Sequence, residues 1–310
     1  MANETKKTLK IGQAGAPIKA RAYQNRTDIE CVEIQDGTTA IEEQAFEGCT
    51  SLRAIRIPAS VTEIGGAAFK DCAALEAIDI PGSVKAIGDE AFLNCTSLKS
   101  VVIPESARAI GENAFAGCES LKSVVIPKGV TGIGYAAFVA CTALESVLIP
   151  GSVTAIGGCA FLNCTSLKSV AIPESVMEIG EWAFRGCSTL KKVVIHEGTT
   201  KIRERAFALC AALESMAIPA SVKAIGVGAF YECKALREIV LPEGLAYIGE
   251  SAFRGTGVRT ATLPSTVEEV GAGAFAGCDD LETVRVPQGL EVDRGVHFKG
   301  CRKPKEILRY

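Results

Sequence analysis

The chain has 310 residues, 48% of them hydrophobic and 22% charged, with a formal net charge of −3, so it holds enough apolar material for a sizeable core and is neither disordered nor collagen-like. It has no basic excess for gripping phosphate backbones and no apolar run approaching the roughly 18 residues of a membrane span, which argues against nucleic acid as a partner and against membrane insertion. The unusual counts are 13 Cys, 12 Phe, two His and one Trp, the profile of neither a typical enzyme nor a compact disulfide scaffold.

The N-terminal segment Met1-Ala-Asn-Glu-Thr-Lys-Lys is polar and leads into no apolar stretch, so no secretory signal is read in it. Residues 1–17 are expected to form a polar cap, with Thr5 to Lys10 protecting the first strand edge. From about Ile18 a fixed period takes over. Phe46, Phe69, Phe92, Phe115, Phe138, Phe161, Phe184, Phe207, Phe230 and Phe253 are each 23 residues apart, Phe275 follows after 22 and Phe298 after 23, and Tyr23 fills the same slot one period earlier. Self-similarity at such a period is the signature of a solenoid.

Each unit reads in the same order. Cys follows Phe by three residues at 11 of the 13 cysteines, Leu by six (Leu52, Leu75, Leu98, Leu121), Ile or Val by nine, Ile by eleven and Pro by twelve. The stretch Leu-x-x-Val-x-Ile, as in Leu98 to Ile103, alternates β-branched residues and ends at proline, which predicts one short strand per unit in a parallel sheet. The Val, Ile-Gly and Ala-Phe marks that complete the unit are too closely broken by Pro and Gly for a long helix; tight turns or 3-10 segments are expected there, with at most one helical turn near Gly-x-x-Ala-Phe. No unit can bury its apolar side alone, so stacking must supply the core. The solenoid is expected over 18–301, in about 12–13 units, and 302–310 as a charged C-terminal cap with Ile307 in a last strand slot. A slower beat of 69 residues is also present, for example in Gly48, Gly117, Gly186 and Gly255, and points to duplication of a three-unit block. The phase slips between Phe253 and Phe275, where one residue and the cysteine are lost.

The unit Leu-x-x-Val-x-Ile-Pro-x-x-Val-x-x-Ile-Gly-x-x-Ala-Phe-x-x-Cys, as in Leu98 to Cys118, resembles the 23-residue leucine-rich repeat of the BspA-like, or Treponema pallidum type, family over about 290 residues. The resemblance implies a leucine-rich-repeat arc with a parallel β-sheet on its concave face. For many members it implies a cell-surface or secreted role in adhesion, and it carries over no catalytic residue. The chain departs from the pattern at Thr256 for Cys, His196 for Pro and Arg203 for Gly, which is expected to loosen single turns. Localisation is pulled two ways: the many free thiols and the missing signal favour the cytoplasm, the resemblance the cell surface.

The cysteine ladder reads as buried free thiols acting as small hydrophobes rather than as metal ligands or disulfides, because equivalent side chains point inward side by side. Cys31 and Cys159 lie off the ladder and are the expected accessible thiols. His196 and His297 are drifted repeat positions; with no third histidine, no metal site or catalytic triad is assembled, and no cofactor is expected. Gly271 to Gly277 mimics a dinucleotide loop at the wrong spacing, and the sequons at Asn3, Asn25, Asn94 and Asn163 matter only in a eukaryotic secretory pathway.

The informative positions are the strand residues that the repeat leaves free, since alternate residues face away from the core. Ten residues after Phe the series is polar at both ends (Arg56, Asp79; Thr262, Arg285) and apolar between, at Val102, Val125, Leu148, Ala171, Val194, Ala217 and Val240. Eight after Phe it runs Ser100, Ser123, Ser146, Ser169, Lys192, Ser215 and Glu238. This apolar stripe beside a serine ladder is read as a docking surface for a protein or peptide. Against that stands plain sheet stabilisation by β-branched neighbours. The functional reading is a non-enzymatic interaction module; the alternative is an adhesin or structural protein that self-associates into a homo-oligomer or binds host proteins.

Overall fold

The computed structural model describes residues 8–302 and 306–310. Part of each expected cap (Thr5 to Lys7 and residues 303–305) and the Asn3 sequon lie outside the described residues. The chain divides into two compact units, 1–152 and 153–310, and each is a parallel-strand solenoid.

In the first unit the Leu-x-x-Val-x-Ile segments form the expected strands. Thr8–Ile11 pairs in parallel with Cys31–Ile34, which pairs with Ala54–Arg56; Ala77–Asp79 pairs with Ser100–Val102, and Ser123–Val125 with Ser146–Leu148. Partners such as Val125 and Leu148 are one repeat apart, so the register follows from the period. In the second unit Ser169–Ile172 pairs with Lys192–Ile195, Ser215–Ala217 with Glu238–Val240, and Thr260–Thr262 with Thr283–Val286, which in turn pairs with Glu306–Arg309. Ile307 sits opposite Val284, in the strand slot read for it.

A second ladder was not signalled by the alternation. Single parallel bridges link Ile18, Ile41, Ile64, Ile87 and Ile110 in turn, and from Ala109 onward the residue pair at this turn forms a two-residue strand: Ala109–Ile110 pairs with Gly132–Ile133 in the first unit, and Ala155–Ile156, Glu178–Ile179, Lys201–Ile202, Ala224–Ile225, Tyr247–Ile248 and Glu269–Val270 run in series in the second. Two residues are too few to carry a readable period. The rest of each coil is a chain of three-residue turns, such as Val61 N–H to the Pro58 carbonyl and Cys72 N–H to the Phe69 carbonyl, with further bonds between coils, such as Phe69 N–H to Ala91. One helix occurs among the described residues, Arg294–His297, capped by Asp293 and placed just before Phe298.

The core is a set of ladders. The phenylalanine rings from Phe46 to Phe275 are fully buried and stack within each unit at centroid distances near 5.3 Å, as for Phe69 and Phe92 at 5.4 Å and 6°. The three departures from the pattern are compensated rather than loose. Thr256 donates to the Phe253 carbonyl at 2.9 Å and meets Cys278 Sγ at 3.3 Å. His196 uses the N–H that proline lacks to bond Ile172. Arg203 turns outward, where Glu178 and Glu181 hold it. The lost residue is taken up in Thr256-Gly257-Val258, where Val258 replaces the buried leucine. A side chain at Gly257 would come within 2.6 Å of the Lys234 carbonyl, so the shortened turn needs glycine.

Candidate protein-binding face

The buried cysteines form no site. Each ladder thiol from Cys72 to Cys278 lies inside the coil and, where the neighbour is in the same unit, donates to a phenylalanine carbonyl one coil back, as Cys72 Sγ to Phe46 at 3.2 Å and Cys210 Sγ to Phe184 at 3.2 Å. Burial pushes the thiols up, to about 12 at Cys118, Cys187 and Cys233, and a thiol held protonated is neither a nucleophile nor a metal ligand. None of the 13 cysteines is in a disulfide, and among the described residues no group of three or more His, Cys, Asp or Glu could hold a metal ion. Cys31 and Cys159 are half-buried, and so is Cys301, a ladder position at the last coil. His297 is structural: its Nδ1 accepts from the Asp293 N–H at 2.9 Å, which leaves Nε2–H to donate to the Val270 carbonyl at 3.1 Å.

The free strand positions are exposed as the alternation requires. In the first unit Val102, Val125 and Leu148 are 67%, 62% and 63% exposed, beside exposed Ser100, Ser123 and Ser146. Register aligns Val125 with Leu148 and Ser123 with Ser146, and the Lys122 N–H donates to the Lys99 carbonyl to join the neighbouring strands. Intervening Val101 and Val124 are buried. On the same column toward the N-terminus the side chains are charged and paired with one another: Lys10 with Glu33 at 3.1 Å and Arg56 with Glu33 at 3.6 Å. Asp79 follows, opposite Val102, so the apolar patch has a sharp charged border.

In the second unit Ser169 lies opposite Lys192 and Ala171 opposite Val194; Ser215 lies opposite Glu238 and Ala217 opposite Val240. Val240 is 66% exposed, whereas Val194 is half-buried and offers less surface than its column suggests. Exposed apolar side chains therefore lie on the strand face in both units, and the first unit carries the more continuous set. Sequence reasoning did not single out Met177, 62% exposed beside the second ladder; its slot is variable from unit to unit and sends no periodic signal.

These features define a class, the leucine-rich-repeat solenoid whose unconstrained positions are gathered on a strand face. The chain belongs to the BspA-type leucine-rich repeat family, whose six-copy model matches residues 16–145, 131–256 and 200–308. Among solved structures it is similar to a leucine-rich repeat protein of Bacteroides ovatus (27% identity, TM-score 0.59, covering 98% of this chain and 83% of that one). It is also similar to a leucine-rich cell surface protein of Faecalibacterium prausnitzii (29% identity, TM-score 0.55, 88% and 83% covered). The pneumococcal vaccine antigen PcpA shares the fold at 23% identity and TM-score 0.51, with 73% and 67% covered. No curated protein matches the chain. The family and its bacterial relatives place the protein among interaction or adhesin-type repeat proteins.

Proposed function

We propose that the protein is a non-enzymatic interaction module that binds a protein or peptide on the strand faces of its units, through Ser100, Val102, Ser123, Val125, Ser146 and Leu148 in the first unit and Ser169, Ala171, Lys192, Val194 and Val240 in the second. The observation that carries the reading is the exposure of Val102, Val125 and Leu148. Each is more than half open to solvent on a column whose neighbours Lys10, Glu33 and Arg56 are charged. An exposed apolar patch with a charged border has the anatomy of an interface core and rim. The similarity to a bacterial cell surface protein supports a surface location.

Aspartate at Val102, Val125 and Leu148 tests the proposal. The substitutions add charge where the partner would be desolvated and leave the buried ladders alone, so partner capture is expected to be lost with the circular dichroism spectrum unchanged. Capture equal to that of the unaltered chain would refute it. The self-association reading separates in solution scattering over a concentration series, where a monomer at every concentration leaves it without support.

A further inference from the structure

The phenylalanine turns of the second unit carry a surface of different chemistry. The slots two residues before and one residue after each Phe are neighbours on the outside of the turn. There they hold Trp182 and Arg185, Arg205, Tyr231, Arg254 and, in the last coil, Lys299. The Arg185 guanidinium lies 4.9 Å and that of Arg205 5.3 Å from the centre of the Trp182 ring, and Arg254 lies 6.0 Å from the centre of Tyr231. Arg205 also pairs with Glu204 at 3.2 Å, while Arg185, Arg254 and Lys299 form no ion pair among the described residues. Beside Arg254 lies a depression of about 550 Å³ whose lining includes Arg254, Lys299 and Glu250 together with Gly273, Ala276 and Gly277.

This is not a by-product of the repeat. In the first unit the same two slots include Lys70 and Glu90, which neutralise each other at 2.7 Å, and Gln44, Ala67 and Leu93. In the second unit those slots carry four cations and no carboxylate. Trp, Tyr and Arg are the residues that dominate binding hot spots, and stacking on a ring fixes the guanidinium plane while leaving its donors open to a carboxylate.

We propose that this turn face, from Trp182 to Lys299, is a docking surface for an acidic, extended peptide segment of a partner protein, separate from the strand face. Arg185 and Arg254 are three coils apart, about 16 Å at the 5.3–5.6 Å spacing of the intervening phenylalanine rings, a span an extended peptide crosses in about four to five residues. Carboxylates at that spacing reach both arginines. A continuous polyanion such as single-stranded DNA is disfavoured, because Glu181, Glu204 and Glu250 occupy the adjoining slot and repel a charge at every step.

Trp182 is the sole tryptophan, so its emission reports on this surface alone. The probe is a flexible, aromatic-free peptide with glutamate at every fourth residue, titrated into the full chain beside its glutamine counterpart and an oligothymidylate. The expected result is a saturable, salt-weakened change with the glutamate peptide only. R185Q/R254Q is expected to weaken binding by about tenfold or more, R185K/R254K to recover part of it, and V102D/V125D/L148D to leave it unchanged. The proposal is overturned by an equal response to the glutamine peptide, by tighter binding of the oligothymidylate, by undiminished affinity in folded R185Q/R254Q, or by no saturable response at millimolar peptide.

Discussion

A buried thiol that donates to a carbonyl is a small hydrophobe with one hydrogen bond, and its chemistry is suppressed by its surroundings. Ten of the cysteines are buried, and Cys31, Cys159 and Cys301 are half-buried. A thiol reagent added to the folded chain is therefore expected to modify these three quickly and the other ten only after unfolding; prompt reaction of all 13 would contradict the ladder. The same burial makes stability pH-dependent. Burial holds the folded thiols above the ordinary thiol value of 9.0, at about 12 for Cys187, so their contribution is complete below pH 9 and falls as pH rises from 9 toward 12. At pH 10 each buried thiol costs about 1.4 kcal/mol relative to neutral pH. Urea midpoints measured at neutral pH and at pH 10 should fall accordingly, and less steeply in C187A.

Backbone conformation gives a second prediction at the residue scale. The slot two residues after Phe is left-handed in every coil, at Gly186 (φ 74°) as at Ala140 (φ 56°) and Leu209 (φ 62°). Ala140→Gly is expected to stabilise by about 1 kcal/mol, because a left-handed residue with a Cβ is strained. Gly186→Ala should destabilise by more than that, since the new methyl would also lie 2.3 Å from Asn163 Oδ1. Chemical denaturation of the two variants gives opposite signs if the slot is read correctly.

At the scale of the element, the stacked rings and the short strands do different jobs. The strands set register, while the rings fill the coil. Phe115→Ala, a fully buried ring between Phe92 and Phe138 slots, should cost about 3–5 kcal/mol, measured as a shift in the unfolding midpoint; a loss below about 1 kcal/mol would mean that the coil collapses onto the cavity. What the sequence made legible follows from which signals recur. Phe, Cys, Leu, Val-x-Ile and Pro repeat at fixed offsets, and the structure has the strand, the stop and the inward ladders at those offsets. The two-residue strands at Ala109–Ile110 and its equivalents had no alternation to announce them. The left-handed residue two before Phe was equally silent, because its occupants Gln44, Glu90, Asn113 and Trp182 share no chemistry; hydrogen bonds such as Gln44 N–H to Gly66 hold it there. Exposure on the strand face was legible from the period-two rule, apart from half-buried Val194. The Trp182 cluster was not, since Arg205 comes from the next coil and meets the ring, beside Arg185 of the same turn, only when the coils stack.

For the whole molecule, a regular core leaves identity to the surface. Aspartate on the exposed column should cost no more than about 1 kcal/mol per substitution, the span of strand propensity, whereas a partner desolvating that column would reject the charge. Quantitative capture by the immobilised chain, compared with its V102D/V125D/L148D variant, tests the central claim most directly. The account predicts that proteins held by the unaltered chain are lost from a variant with an unchanged circular dichroism spectrum. Equal retention by the two would contradict it.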